Sequence, residues 1–520
     1  MKARFIILAL LTLLAGWLRF TATSFGLPDR YRPDEEHMMS RALGFQKDWN
    51  PNFAIYPAAE MYVDHAALRL YAAVTGKEFS AAFSGDDASR AYLIVRRVSA
   101  AFATATVPAI YFAAAPAFGT EAALSAAAIL AVSTLHMREA KYATTDAAMG
   151  FWLTMAIAMI LRIVHRGRYR DYVGAGFFAG LATATKYPAG GIVFGIVAAH
   201  LGARHREGRS LPRSYRDLRI YLAGYVTIVS FVCATPYFVL DWQQTVNDFI
   251  YQRGFVLDGL PNPQAGYGWS WLVMRAMPDS FGISLQLFLL GSMLWALIRP
   301  KPGTLSLLAF VGIAFLGITG SHYVFYRYLV VPLPAMAILG GIAAAQVGSM
   351  LSARLGKKYA TAVVGLGLGL LLLPSLIRDV ELNRLLSRPD TRTLARQWIE
   401  GHIPRGSVIA VTDRGNLCGK PQMTSAYSLV GLGDPATLRI RGIHWVLSDS
   451  FAPISFYSRG PSETELAALN SQGTLVVDLD PVKRGAPDPI VDPQDAYYAP
   501  IGNITSMERA GPRIRIWKLN

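Results

Sequence analysis

Apolar runs of roughly 20 residues, long enough to cross a bilayer as helices, recur along the first three quarters of this chain and then cease. The first, from Phe5 to about Phe25, follows Lys2 and Arg4. It is longer than the hydrophobic part of a secretion signal and shows no clear small-residue cleavage site, so it is expected to be an uncleaved span with its N-terminus in the cytoplasm. Further spans are expected from Ala91 to Pro116, Glu121 to Leu135 and Ala143 to Val164. The stretch Val173 to His200 is interrupted by Lys186-Tyr187-Pro188 and reads as two short helices meeting on the outer side, because proline removes a helical hydrogen bond. Ile220 to Leu240 then crosses outward, and spans ending near Ile298, Met350 and Ile377 bring the total to about eleven crossings.

Charge supplies the orientation. The 520 residues carry 50 Lys+Arg against 35 Asp+Glu, a net +15 that would suggest nucleic acid in a soluble chain. Here the excess sits in short turns between apolar runs: His165-Arg166-Gly167-Arg168-Tyr169-Arg170, the stretch Arg204 to Arg219, Arg299 with Lys301, and Arg354 with Lys357 and Lys358. Counting crossings puts each of these inside, as the positive-inside rule requires. A hydrophobic share of 52% with only 16% charged residues, and a mean hydropathy of +0.30, exclude a soluble protein of this size. The two cysteines, Cys233 and Cys418, offer neither a disulfide framework nor a metal-ligand spacing.

The expected fold class is therefore a polytopic α-helical membrane protein of about eleven transmembrane helices. Residues 1–377 form its membrane domain, with a first external loop over 26–90, and residues 378–520 form an external domain. In that tail Thr393 to Glu400 reads as a short helix, and Ser407 to Thr412, His444 to Leu447, Thr474 to Leu479 and Arg513 to Trp517 read as strands between Gly, Pro and Asp turns. This pattern predicts a small α/β domain. No internal repeat or inverted pair of halves is visible, which weighs against a secondary transporter.

Ionisable residues gather on the outer side. The first loop carries Pro33-Asp34-Glu35-Glu36-His37, then Asp48-Trp49-Asn50-Pro51-Asn52-Phe53 and Tyr56-Pro57. Arg138, Glu139, Lys141, Tyr142 and Asp146 follow at the second outer turn, Lys186-Tyr187 at the third, and His322, Tyr323, Tyr326, Arg327 and Tyr328 at the fifth. Each alone could be a solvated or snorkelling charge, and the tyrosines at 323, 326 and 328 read as an interfacial aromatic belt; their shared side is the stronger signal. Cations facing an outer leaflet can hold a lipid phosphate. A nearby acid can then act as a general base on an acceptor hydroxyl attacking a sugar carried on that phosphate. The competing reading is a transporter or flippase of lipid-linked saccharides, which should hold polar groups through the membrane depth, whereas here the spans are mostly clean.

These segments also resemble a known family. Pro33 to His37 with Asp48 to Pro57, then Arg138-Glu139-Ala140-Lys141-Tyr142-Ala143-Thr144-Thr145-Asp146, Gly180 to Tyr187, Arg327 to Pro334, and the tail segments Thr391 to Glu400 and Ile403 to Ser407 are similar to the GT-C membrane glycosyltransferases related to protein O-mannosyltransferases and the lipid A aminoarabinose transferase. The resemblance implies an inverting transferase, metal-independent or assisted by a divalent metal, in a bacterial cytoplasmic membrane with a periplasmic tail. Its donor would be a polyprenyl-phosphate-linked sugar, and its acceptor a lipid, glycan or protein. Asp34 matches the family's first-loop catalytic aspartate, with Glu35 its neighbour. His37 falls where the aminoarabinose transferases carry a phosphate-contacting arginine, and their lysine-proline-proline element is here Ile55-Tyr56-Pro57, a departure from the pattern. By location, Arg138, Lys186, His322 and Arg327 are assigned with His37 to the donor phosphate. Asp146 is a supporting acid that orients the base, binds a metal or pairs with Arg138. Tyr56, Tyr142 and Tyr187 are the candidates for a substrate groove.

Overall fold

Long apolar segments leave their backbone amides no partner but one another, so helices dominate through residue 386. The computed structural model describes residues 2–79, 85–258, 268–322, 324–412, 421–423, 425–450, 461–487, 501 and 504–520. In chain order the helices of this part are α1 (Lys2–Phe20), α2 (Pro33–Gly44), α3 (Ala59–Thr75), α4 (Gly85–Phe118), α5 (Thr120–Ala131), α6 (Thr134–Glu139), α7 (Asp146–His165), α8 (Tyr169–Thr185) and α9 (Ile192–Arg206). They continue as α10 (Leu211–Tyr215), α11 (Leu218–Ala234), α12 (Tyr237–Leu240), α13 (Trp242–Asp258), α14 (Gly268–Trp271), α15 (Met277–Phe281), α16 (Ile283–Ile298), α17 (Pro302–Thr319), α18 (Leu333–Leu355) and α19 (Lys357–Leu386). Among the described residues six helices are long and apolar enough to cross a membrane: α1, α4, α7, α17, α18 and the stretch beginning at Lys357. α5, α11 and α16 are apolar but shorter.

The described residues divide into two compact units: those within Met1–Thr23, His37–Gly259 and Tyr267–Asp379 form the first, and those within Ser24–Glu36 and Val380–Asn520 the second. The first-loop segment carrying Asp34 and Glu35 thus groups with the tail. Tyr323 lies outside the described residues.

In the first unit, two helix ends fall inside protein and are closed by buried cations. The Glu121 to Leu135 stretch yields α5 of only 12 residues, about 18 Å long and short of the roughly 30 Å hydrocarbon core. Its last carbonyls are satisfied by Arg19, which donates to Leu130 O at 3.0 Å, to Ala131 O at 2.9 Å and to His136 Nδ1 at 2.9 Å. A guanidinium only donates, so that ring nitrogen accepts and the imidazole proton sits on Nε2. Lys141 does the same for the end of α1, donating from Nζ to Leu18 O at 2.8 Å and Thr21 O at 2.6 Å. Leaving any one of these groups unpaired would cost about 1–3 kcal/mol.

The break expected at Lys186 is present. α8 stops at Thr185, Lys186 is extended (φ −155°, ψ 123°), and Tyr187–Gly191 forms a 3₁₀ turn with Pro188 in its first positions before α9 begins. Small residues let neighbouring helices touch. A β-carbon at Gly180 of α8 would overlap Ser230 Oγ and the Thr227 carbonyl of α11, and one at Gly341 of α18 would overlap the Ala122 carbonyl of α5.

Two arginine-rich turns meet at one end of this unit. Arg219 donates from Nη1 to Gly167 O at 2.8 Å, and Asp217 takes Arg219 Nη2 at 2.7 Å and buried Arg204 Nη1 at 3.4 Å. Asp217 also caps α11 by accepting from Arg219 N. The Arg219 hydrogen bond holds its carboxyl down at about 2, against the opposing effect of burial. In α3 the opposite holds: Glu60 and Asp64, one turn apart and almost wholly buried, present carboxylate oxygens that accept no hydrogen bond among the described residues. Burial pushes both carboxyls up, and for Asp64 the Glu60 charge adds to it.

The second unit is built of strands and helices. Its strands are β1 (Val408–Val411), β2 (Ser428–Gly431), β3 (Trp445–Ser450), β4 (Gly473–Leu479) and β5 (Arg513–Leu519), in the order β2-β1-β3-β5-β4. β1 runs parallel to β2 and β3, and β5 pairs antiparallel with β3 and β4. The two-residue alternation of β5 sends Ile514 and Ile516 to one face, against α20 (Thr391–His402), and Trp517 and Leu519 to the other, against Leu438 and Leu469. β2 and the helices α21 (Pro435–Ile440) and α22 (Glu463–Gln472) add to the elements expected from sequence.

Asp217→Asn removes both the N-cap charge and the arginine clamp, and should destabilise the first unit by about 1–2 kcal/mol in thermal unfolding. Because the folded pKa is depressed, the wild-type contribution is complete above pH 4 and lost as pH falls towards 2. An unchanged melting temperature for the variant at pH 7 would contradict the clamp. The α3 acids carry the reverse sign: their raised pKa makes stability greatest at low pH and lost as pH rises above the ordinary carboxylate range. Glu60→Gln should flatten that loss in melting curves taken from pH 5 to 9, and an undiminished slope would count against the buried pair.

Candidate active site

The first unit gathers four of the sequence candidates where helices break. α6 and the short turn to Asp146 carry Arg138 and Asp146, the α8–α9 break carries Lys186, and the 3₁₀ turn Tyr326–Val330 carries Arg327. All four are buried. Lys186 Nζ donates to Asp146 Oδ1 at 2.6 Å and lies 5.6 Å from the centre of the Tyr328 ring. Its ammonium also feels the charges of Arg327 and Glu139. Arg138 donates from Nη2 and Nε to Glu139 Oε1, each at 2.7 Å. The Arg327 guanidinium lies 4.3 Å from the Phe325 ring centre. The local reason is the chain path: a helix that ends early leaves a residue such as Lys186 extended, with its side chain turned inward.

Two expectations need correction. Asp146 pairs with Lys186, 40 residues away, while Arg138 takes the adjacent Glu139; the tight geometry at Lys186 wins over sequence proximity. Asp146 Oδ2 is buried and accepts no hydrogen bond among the described residues, which leaves an acceptor inside the cationic cluster. Tyr326 is no part of an interfacial belt: it is buried and donates its hydroxyl to Asp279 Oδ2 at 2.7 Å. Among the described residues no group of three His, Cys, Asp or Glu could hold a metal ion.

His322 lies at the start of the turn that leads to Arg327. It is exposed, and its ring Nδ1 donates to Leu257 O at 2.8 Å, fixing the proton on Nδ1, while its backbone N–H donates to Val256 O. His37 is also exposed, stacked 5.9 Å from Phe53, whose ring carries the Arg41 guanidinium at 4.2 Å. Tyr56 and Tyr187 line one cavity, with Asn50, Phe238 and Asp241. Tyr187 donates to Ala54 O at 2.9 Å, and Ala54 N donates to Asp248 Oδ2 at 2.6 Å, so this loop is pinned to α13. Tyr142 is buried and does not line that cavity.

Asp34 and Glu35 occupy the first turn of α2, where the helix dipole favours carboxylates. Asp34 is half-buried, Glu35 is buried, and Glu36 is exposed and paired with Arg30 at 3.3 Å. Within the second unit the strand of chain leading to Asp34 is clamped. Asp29 accepts from Thr393 Oγ1 at 2.9 Å and pairs with Arg396 Nε at 3.1 Å. Arg392, held by Asp390 at 2.7 Å, lies 3.7 Å from the Tyr31 ring centre, and Gln422 donates to the Arg30 carbonyl. Sequence reasoning names Glu139 on the outer side without giving it a role, and passes over Asp279 and this clamp. The adjacent Arg138-Glu139 pair in an otherwise apolar stretch was the one signal available for Glu139.

Comparison with known proteins gives a concordant picture. Residues 87–238, which include Arg138, Asp146 and Lys186, match the dolichyl-phosphate-mannose-protein mannosyltransferase family. No curated protein matches the chain by sequence at a significant level. By structure, the chain is similar to ArnT from Cupriavidus metallidurans bound to undecaprenyl phosphate, with TM-score 0.51, 15% identity, and coverage of 92% of this chain and 96% of that one. It is also similar to the archaeal oligosaccharyltransferase AglB from Archaeoglobus fulgidus in complex with an inhibitory peptide and a dolichol-phosphate, with TM-score 0.52, 12% identity, and coverage of 86% and 69%. A crystal structure of the Archaeoglobus fulgidus oligosaccharyltransferase tethered with an acceptor peptide gives the same values. The helical architecture and its apolar helices agree with these neighbours: the chain is similar in fold to these membrane proteins, and residues 87–238 are similar to the mannosyltransferase family.

Proposed function

We propose that the chain transfers a sugar from a polyprenyl-phosphate-linked donor to an acceptor hydroxyl at the outer face of the cytoplasmic membrane, with inversion at the anomeric carbon. In this reading the chain makes about eleven crossings, and its C-terminal α/β unit is external. The observation that carries the reading is the buried cluster of Arg138, Lys186 and Arg327 around the Asp146 and Glu139 carboxylates. Three cations gathered out of water beside these acids make a site that can take up an incoming phosphate.

The chemistry follows from those charges. The acceptor oxygen attacks the anomeric carbon, its proton passes to Asp34, and the bond from the anomeric carbon to the phosphate oxygen breaks with its electron pair leaving on the lipid phosphate. Negative charge grows on that phosphate in the transition state, and Arg138, Lys186 and Arg327 stabilise it there more than in the ground state. Glu35, His37 and His322 are supporting residues in this assignment. Asp146 orients Lys186, and Tyr56 and Tyr187 present aromatic surface to a substrate.

The test is transfer of labelled sugar from a polyprenyl-phosphate donor by the purified full chain in lipid. Asp34→Asn should lower the rate by about 10²–10⁴-fold with folding intact. Glu36→Gln, on the exposed neighbour, should change it less than about twofold. An Asp34→Asn protein that remains fully active would remove the base assignment.

A further inference from the structure

α7 begins at Asp146 and ends at His165, so its far end lies roughly 28 Å from the cationic cluster. At that end the first unit holds a second concavity, independent of the donor site. A cavity of about 730 Å³ opens between the ends of α4, α7 and α9 and the starts of α5, α17 and α19. Arg206, Lys301 and Lys357 line it, as does the acid Glu121. Among the described residues none of these three cations has an ion-pair partner, although arginines nearby, such as Arg204 and Arg219, are paired. α5 starts here at Gly119 without a side-chain cap, and α17 starts with Pro302, so two helix N-termini add positive potential.

A second groove joins this cavity through Ala117 and His165. It runs between α4 and α7, floored by Ala109, Ala113 and Ala158 and walled by Phe112 and Met155, with Arg162 and Arg166 at its mouth. Small residues on both helices leave an apolar trough between them, and Phe112, 59% exposed, borders it. An unneutralised cationic bowl continuous with an apolar trough has the amphipathic shape of one ligand class.

We infer that this is a binding site for an anionic phospholipid of the leaflet on the arginine-rich side. The phosphate sits among Arg206, Lys301 and Lys357, and an acyl chain lies in the α4–α7 groove. Basic pockets between transmembrane helices recognise anionic headgroups by charge, and the apolar groove adds the burial that a free headgroup lacks. The site would make stability or turnover depend on the anionic lipid content of the membrane, without contact with the sugar donor.

The experiment measures phosphatidylglycerol retained by the full-length protein in native mass spectrometry, and its affinity in phosphatidylcholine nanodiscs doped with phosphatidylglycerol. Lys301→Gln with Lys357→Gln should weaken binding about tenfold. Arg213→Gln with Arg216→Gln, which removes the same charge from exposed residues of the same end that do not line the cavity, should leave binding within about twofold. Lys301→Arg with Lys357→Arg should restore it, which separates lost charge from lost folding. Equal loss in both glutamine pairs, or no loss in either, overturns the site. Displacement of the lipid by glycerol phosphate at equal affinity also overturns it, because the groove would then contribute nothing.

Discussion

A helix that stops inside a protein must find partners for its last carbonyls, and in this chain buried cations supply them. Arg19 closes α5 and Lys141 closes α1. With those ends satisfied, α5 can stop after 12 residues and the chain can turn through α6 into α7, a path that places Arg138 and Asp146 in the interior. The same constraint acts at Lys186, where Pro188 prevents α8 from continuing and the extended residue turns its ammonium towards Asp146. These helix breaks are thus also the source of the candidate residues Arg138, Asp146 and Lys186.

The cost of this arrangement decides what the cluster can do. A buried ion pair repays its desolvation only with close geometry, and losing one partner costs about 3–5 kcal/mol. Lys186 and Asp146 meet that condition at 2.6 Å. Arg138 and Glu139 form a second such pair, and Arg327 brings a further positive charge against an aromatic ring. Cations held in a water-poor site before any substrate arrives are what the proposed transfer asks for at its anionic leaving group.

Much of this was legible in the chain. Proline at 188 and the abrupt return of apolar residues marked the α8–α9 break, and the runs of arginine marked the turns that Asp217, Arg204 and Arg219 join. Alternation in Arg513 to Trp517 marked β5. What could not be read were partners across distance. Nothing in the sequence chooses Lys186 over Arg138 for Asp146, because that choice depends on where two helices end in space. β2 was missed because its four residues, Ser428 to Gly431, are too short and too glycine-rich to signal a strand. Glu60 and Asp64 read as polar surface at one-turn spacing, and only the packing shows them buried, with Glu60 Oε1 and both Asp64 oxygens accepting no hydrogen bond among the described residues. The clamp on the segment before Asp34 joins residues more than 360 positions apart, beyond the reach of any local pattern.

The central claim is that the buried Lys186 cluster holds the phosphate of a polyprenyl carrier. The direct measurement is the affinity of undecaprenyl phosphate for the purified protein in lipid nanodiscs, comparing wild type with Lys186→Met combined with Asp146→Asn. That double change removes both charges of the pair together and so leaves neither buried alone. The account predicts an unfolding temperature close to wild type and an affinity lower by about tenfold or more, the worth of one charge-assisted phosphate contact. Unchanged affinity in a folded double variant would contradict it.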